Sequence, residues 1–417
     1  MIERNEYLNK LISRKWNGMV KVITGIRRCG KSYLLFEIFK KHLLDNGVPT
    51  EQIIEVSLDA EEFEELHDKK KLNEYIKARI KDEKEYYVLL DEIQLVDGFE
   101  SVLNSLLRIK NVDCYVTGSN SKFLSSDIIT EFRGRGDEVR VHPLSFGEFS
   151  KAFKGDQRDA YSEYSLYGGL PAIVSMDSHE AKMSYLKNLV DNVYLSDVIE
   201  RNKLKKEKTV LGELLNIIAS SIGSLTNPSK LADTFKSVAK VSINRATLSN
   251  YLDCFIDAFL INKALRYDIK GKSYIDSPFK YYFEDIGLRN ARINFRQNEP
   301  THIMENIIYN ELIARGYSVD VGVVVVNYKD ENNKSQRKQL EVDFVCNKGT
   351  SRYYIQSVYS LENEEKREKE SAGFIKIDDS FKKMIIEKDC YVPWQDENGI
   401  YHIGLEQFLL NKDSLEK

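Results

Sequence analysis

The sequence has little net charge. Its 61 lysines and arginines face 65 aspartates and glutamates, for a net charge of −4. No chain-wide basic field predicts nucleic-acid binding, so any such surface must be local. Cysteine is sparse: Cys29, Cys114, Cys254, Cys346 and Cys390 are scattered and odd in number. Without a C-x-x-C pair, neither a disulfide framework nor a zinc site is suggested, and a reducing, cytoplasmic compartment is expected. Long apolar runs are missing. Stretches such as residues 323–326 are far too short to span a bilayer. The opening MIERNEYLNKLISRKW lacks the apolar core of a signal peptide, so no membrane partner is expected. Low-complexity tracts and convincing internal repeats are absent too. What remains, 42% hydrophobic and 30% charged among 417 residues, is ordinary globular composition for roughly two to four domains.

The most informative stretch is VKVITGIRRCGKSYLLFEIF, residues 20–39. A β-branched run (Val20, Val22, Ile23) stops at Gly25, and a helical pattern begins at Lys31. Between them, Gly25-Ile26-Arg27-Arg28-Cys29-Gly30-Lys31-Ser32 fits the phosphate-binding loop G-x-x-x-x-G-K-[ST]. Glycines at both ends allow backbone conformations closed to other residues and let main-chain N–H groups approach a phosphate. The helix start aims its positive dipole end at the same anion. Lys31 suits the β- and γ-phosphates of ATP, and the Ser32 hydroxyl suits Mg²⁺. Gly25, Arg28, Cys29, Gly30, Lys31, Ser32 and Tyr33 are the expected nucleotide contacts.

Downstream, Tyr86-Tyr87-Val88-Leu89-Leu90-Asp91-Glu92 is an apolar run ending in two acids. Its uniform apolarity suits a strand buried on both faces of a parallel sheet. Asp91 is expected to hold Mg²⁺, usually through water, and Glu92 to orient and polarise the attacking water. After another strand pattern, Thr117, Ser119 and Asn120 stand where a strand end senses the γ-phosphate; the alternative is an N-cap for the next helix. That helix, about residues 122–132, ends in Arg133-Gly134-Arg135-Gly136. In ring-forming ATPases an arginine at such a helix end reaches the neighbouring subunit's nucleotide, and a guanidinium is suited to γ-phosphate charge. The alternative for Arg133 and Arg135 is a cationic helix C-terminus offsetting the dipole.

From about residue 146 to 206 the pattern is helical, interrupted by Gly168-Gly169-Leu170-Pro171. This turn either opens a helix at Pro171 or presents backbone and ring to an adenine base. Tyr194, Asp197 and Arg201 share a helix face, as a polar cluster or as an Asp197–Arg201 pair. Residues 209–276 look like a winged helix-turn-helix. Asn227-Pro228 starts the second helix, and Ser242 caps a third, over about 243–256, that presents Asn244, Arg245, Thr247 and Asn250. Segments 264–269 and 273–275 form the expected wing about Lys270-Gly271-Lys272. Duplex DNA and a protein partner are both open as its target. From residue 278 onward, a helix containing Glu305 and strands containing Asp343 and Gln356 resemble a restriction-endonuclease-like core. Those enzymes bind divalent metal with a helix acid, a strand Asp and an acid-x-Lys. Gln356 replaces the second acid and Val358 the lysine, so a catalytically degenerate domain is expected.

Taken together the chain resembles a bacterial and archaeal family of P-loop ATPases in which an AAA-type domain precedes a C-terminal domain of unknown function. GIRRCGKS, YYVLLDEIQ, YVTGSNS, FRGRGDEVRVHPLSFGEF, YGGLPAIV, MENIIYNELIARGY, EVDFV and YYIQSVYSL carry the resemblance. The Gly-Gly-Leu-Pro turn also looks like the Gly-x-Pro motif of signal-transduction ATPases with numerous domains, which implies an adenine contact for Pro171. The expected fold is α/β: an AAA/ASCE-type P-loop NTPase sandwich over residues 1–150, a helical lid over 151–207, a winged helix-turn-helix over 208–276 and the nuclease-like domain over 277–417. The expected function is Mg²⁺-dependent ATP hydrolysis by a switch or motor acting on DNA or on an unidentified protein, with homo-oligomers if an arginine finger operates. The alternatives are an ATP-gated binding module with negligible turnover and an ATP-dependent nuclease.

Overall fold

The computed structural model describes residues 2–118, 134–204, 207–240, 242–296, 299–329, 334–361 and 364–416. Two compact units emerge: residues 1–143 with 257–259, and residues 144–256 with 260–417.

In the first unit, four largely apolar runs and one polar edge strand build a parallel sheet. Its strands are β1 (Val20–Thr24), β2 (Ile53–Ser57), β3 (Tyr86–Asp91), β4 (Val112–Thr117) and β5 (Gly136–Arg140), in the order β2-β3-β4-β1-β5. Every residue of β1 and β3 is buried, as expected for strands covered on both faces. The helices are α1 (Asn5–Ser13), α2 (residues 31–45, π-wound over Leu34–Phe39), α3 (Lys69–Lys77) and α4 (Phe99–Leu106). Leu72, Ile76, Phe99, Val102, Leu103 and Leu106 pack with Val20, Val22, Val56, Val88 and Val116 in one core. α2 ends at Asn46-Gly47, where Gly47 has φ +83°. The acid-bearing β3 is separated from β1 by β4. Parallel strands, buried crossovers and this order make the unit a P-loop NTPase fold.

Lys21 is a polar insertion into β1. Its fully buried ammonium pairs with Asp113 and lies 5.1 Å from the Tyr115 ring centroid. Tyr115 Oη donates to the same carboxylate at 2.9 Å. A buried charge persists only when paired in this way.

The second unit opens with helices α5 (Phe146–Ala152), α6 (Ala160–Tyr167), α7 (residues 179–201, π-wound over Leu189–Tyr194), α8 (Lys208–Ser220), α9 (Pro228–Ala239) and α10 (Arg245–Asp257). It continues through β6 (Ile261–Asp268), β7 (Ser273–Phe283), α11 (Ile286–Arg292), α12 (Pro300–Ala314), β8 (Ser318–Lys329), β9 (Ser335–Lys348), β10 (Ser351–Val358), α13 (Glu364–Ile375), β11 (Lys382–Glu387), β12 (Trp394–Gln395), β13 (Tyr401–Gly404) and α14 (Leu405–Leu410). Its strands form one mixed sheet, ordered β12-β13-β11-β10-β9-β8-β6-β7.

Two sequence expectations shift here. The hairpin read as a separate wing is β6 with the first half of β7, and β6 also pairs with β8 through Arg266↔Val321 to Asp268↔Val323. The boundary expected between 276 and 277 therefore falls inside β7. Its second half, Phe279 to Phe283, is buried and apart from Lys280 aromatic, while its first half is mostly exposed, and that contrast reads falsely as a break. The cap of α10 is Asn244, whose Oδ1 accepts the Thr247 N–H at 2.8 Å, in place of Ser242. An asparagine two residues later satisfies the same orphan N–H groups. Asn227 caps α9 as expected, accepting from Lys230 N at 2.8 Å.

Candidate functional site

The loop leaves the C-terminal end of β1. Gly25 has φ +138° and Gly30 +100°. A Cβ on Gly25 would lie 2.1 Å from the Val141 carbonyl oxygen, so glycine is obligatory there. Arg28 takes φ +62° without being glycine, a strained backbone of the kind concentrated at functional loops. Cys29 is fully buried, its thiol 3.3 Å from the Val141 oxygen. Lys31 is buried, and its Nζ donates to the carbonyls of Gly25 at 3.0 Å and Ile26 at 3.2 Å. The ammonium thus lies within the curve of the loop, beside the backbone N–H groups that open α2. Ser32 and Tyr33 follow on the first turn of α2, both half-buried.

The acids meet this loop through hydroxyls. Asp91, the last residue of β3, is 2% exposed. It accepts hydrogen bonds from the Thr117 and Ser32 hydroxyls. Thr117, ending β4, in turn accepts the Glu92 N–H at 3.0 Å. Burial pushes the Asp91 carboxyl above the usual range, opposed by its two hydroxyl donors. Glu92 sits at φ +51°, left-handed without being glycine, and its carboxylate accepts from the Gln94 side chain. Of the strand-end trio, Thr117 joins the cluster, whereas Ser119 and Asn120 lie outside the described residues. Arg133 lies outside them as well. Arg135 is exposed, and its carbonyl accepts the Val20 N–H at 2.9 Å, which puts it at the opposite end of β1 from the loop.

Sequence reasoning missed Arg4. Only 4% exposed, it precedes α1, stands over the Tyr7 ring at 4.5 Å, and donates to the carbonyls of Cys29 at 3.3 Å and His142 at 2.7 Å. It ties the back of the loop to the chain leaving β5. A lone arginine ahead of an amphipathic helix carries no sequence signal of that role.

In the second unit, the Gly-Gly-Leu-Pro turn is a site of close backbone approach. A Cβ on Gly168 would meet Asp285 Oδ1 at 2.1 Å, and one on Gly169 the Leu144 oxygen at 2.2 Å. Asp285 Oδ2 accepts the Gly169 N–H at 2.7 Å, and Oδ1 accepts the Leu288 N–H at 3.1 Å, capping α11. Complete burial raises the Asp285 carboxyl to about 6 against these backbone donors. Pro171 then opens a short 3₁₀ turn, Pro171–Ser175. Arg201 and Asp197 form the i,i+4 pair at 3.7 Å, while Tyr194 is buried. Glu305 and Asp343 do converge, joined by Lys280, which the sequence reading did not single out. Val358 is 3% exposed in an apolar core with Ile385 and Phe374, far from the chemistry of a lysine.

Comparison with known proteins agrees with this topology. Residues 17–150 match a family described as an AAA domain, and residues 158–299 match a domain of unknown function, DUF8612. An uncharacterized protein of Haemophilus influenzae is 34% identical over 398 residues, 94% of each chain. The chain belongs to this AAA-type P-loop ATPase family. A second relative of that family, the uncharacterized protein MJ1544 of Methanocaldococcus jannaschii, is 31% identical over 91% of this chain and 84% of its own. Among solved structures, the Walker-type ATPase paby2304 of Pyrococcus abyssi is 16% identical with a TM-score of 0.49, covering 70% of this chain and 96% of its own. The Aeropyrum pernix ORC1 protein in complex with DNA is 12% identical with a TM-score of 0.31, covering 70% and 93%; likeness this low carries no functional argument. No helix among the described residues is long and apolar enough to cross a membrane.

Proposed function

We propose that this family member binds ATP with Mg²⁺ in the 25–32 loop and hydrolyses it, working as a nucleotide-dependent switch or motor. The observation that carries the reading is the hydroxyl-linked chain Ser32–Asp91–Thr117–Glu92 beside the Lys31 loop. Two hard oxygen donors, the Ser32 hydroxyl and the Asp91 carboxylate, already share a hydrogen bond, which is the donor set Mg²⁺ prefers.

In this reading Gly25, Arg28, Cys29, Gly30 and Tyr33 shape the cradle, and Lys31 exchanges its loop carbonyls for phosphate oxygens. Ser32 and Asp91 hold the ion, which supplies charge neutralisation at the phosphates. Thr117 links the ion-binding acid to the backbone of Glu92, and Glu92 aligns the attacking water. Asn120 as a phosphate sensor, Pro171 as an adenine contact and Arg133 or Arg135 as a finger between copies extend the proposal. Residues 151–207 would then be the helical lid that the family resemblance implies. Lys31→Ala is expected to remove ATP binding, measured by calorimetric titration with Mg²⁺ present; wild-type affinity in that variant would refute the site.

A protein partner is favoured over duplex DNA by two observations. Asn244 spends its side chain on the α10 cap, and the hairpin read as a wing belongs to the eight-stranded sheet. DNA-stimulated turnover would reverse that preference.

A further inference from the structure

The second unit buries a set of charges that the nucleotide site does not use. β7 carries Lys280 and Tyr282 two residues apart, hence on one face. β9 does the same with Glu341 and Asp343, and α12 contributes Glu305. Lys280 Nζ lies 2.8 Å from Glu305 Oε1, 2.7 Å from Glu341 Oε1 and 3.7 Å from Asp343 Oδ1. Lys280 is 3% exposed, Glu305 6% and Asp343 7%. Tyr282 Oη donates to Glu305 Oε1 at 2.6 Å, and the Ser357 N–H to Asp343 Oδ2 at 2.9 Å. The Gln356 amide is committed elsewhere, accepting the Asp343 N–H at 3.2 Å and donating to Glu370 at 2.9 Å. A Cβ on Gly223, in the loop after α8, would come within 3.2 Å of Glu305 Oε2, so that loop closes the Glu305 side.

A restriction-endonuclease-like core implies a divalent ion between Glu305 and Asp343. The residues do not fit one. A buried ammonium with three donors already spans the carboxylates, although the Glu341 side chain reaches solvent, and its repulsion of a dication in the same gap opposes metal binding. Gln356 is a neutral amide and Val358 a core residue.

We propose that the Lys280 ammonium is the resident cation of this carboxylate site, standing where a divalent ion would bind, so that the unit carries a built-in counter-ion in place of metal chemistry. The ammonium lies within 4 Å of an oxygen on each of the three acids, so the counter-charge is supplied from within the chain. Removing the amine leaves oxygens on three elements facing one gap. Ca²⁺, which accepts irregular all-oxygen shells at about 2.3–2.6 Å, is the ion suited to fill it.

The test compares full-length wild type with Lys280→Ala without nucleotide, by thermal melting and calorimetric titration of Ca²⁺ against an EDTA blank. Only the difference between the proteins is read, so an ion held elsewhere cancels. The wild type is expected to melt at one temperature with or without Ca²⁺. Lys280→Ala is expected to melt lower in EDTA and to regain several degrees with Ca²⁺. Calcium binding by the wild type that Asp343→Asn abolishes would overturn the proposal, as would a Lys280→Ala protein that neither loses stability nor responds to Ca²⁺. Should Lys280→Ala fail to fold, the charge-matched pair Lys280→Met with Glu305→Gln decides: it must fold and melt above Lys280→Met alone. Equal or lower melting of the pair contradicts the counter-ion role.

Discussion

Gly25 controls the closure of the loop, because its Cα faces the Val141 carbonyl with no room for a methyl group. Gly25→Ala is therefore expected to displace the loop and weaken ATP binding more than tenfold, about 1.4 kcal/mol or more, in calorimetric titration. Arg4 acts at the same scale from behind. Its guanidinium binds the Cys29 and His142 carbonyls, and hydrogen bonds from a charged donor are worth about 1.5–3 kcal/mol each. Arg4→Met should raise the KM for ATP about tenfold or more with a smaller effect on kcat, and Arg4→Lys should recover part of the loss. An unchanged KM in Arg4→Met would remove Arg4 from loop positioning. The placement of the loop, Asp91 and Glu92 at strand ends was legible because an apolar run closed by glycine or by acids marks the end of a buried strand. Arg4 and Lys280 were not, since each acts through a contact with residues remote in sequence.

At the scale of elements, the Gly-Gly-Leu-Pro turn and α11 are one construction. Asp285 reaches from the α11 N-terminus to the Gly169 N–H, and Gly168 leaves room for its carboxylate while Gly169 leaves room for the Leu144 backbone. Burial pushes its carboxyl up to about 6 in the folded chain, from an ordinary value of about 3.8. The folded chain thus binds the extra proton more tightly than the unfolded chain. The resulting stabilisation is fully present below about pH 3.8 and is lost as pH rises through about 6. A shift of this size is worth on the order of 2–3 kcal/mol. Asp285→Asn, which keeps an oxygen cap, should flatten the fall in stability across that window in denaturant titrations; an unchanged slope would assign it to other groups. Helices and strands were largely legible from periodicity, with ends displaced by a few residues. α9 starts at its Asn-Pro cap as read, whereas Asn244 outcompeted Ser242 at α10. The motif at 168–171 was visible, but its partner, more than a hundred residues later, was not.

At the scale of the whole molecule, the AAA-type unit was readable because β1 to β4 are separate, largely apolar runs closed by turns. The remainder was harder. β7 changes from exposed to buried midway, so a single strand looked like the end of one domain and the start of the next. Its pairing with β6, and that of β6 with β8, merges the expected wing into a larger sheet. The family match over 158–299 crosses that expected boundary too. If Arg133 or Arg135 completes a neighbour's site, the specific rate of ATP hydrolysis should rise with protein concentration and become independent of it in a variant lacking both arginines. A constant specific rate in the wild type would leave each chain self-sufficient.

The central claim is that Glu92 activates water for ATP held by Lys31 and Ser32. It is tested most directly by measuring steady-state phosphate release by wild type and Glu92→Gln alongside their ATP affinities. The account predicts comparable affinity in both proteins and turnover in the variant reduced by about 10²-fold or more, the range for a lost general base. Equal turnover by the two proteins would contradict it.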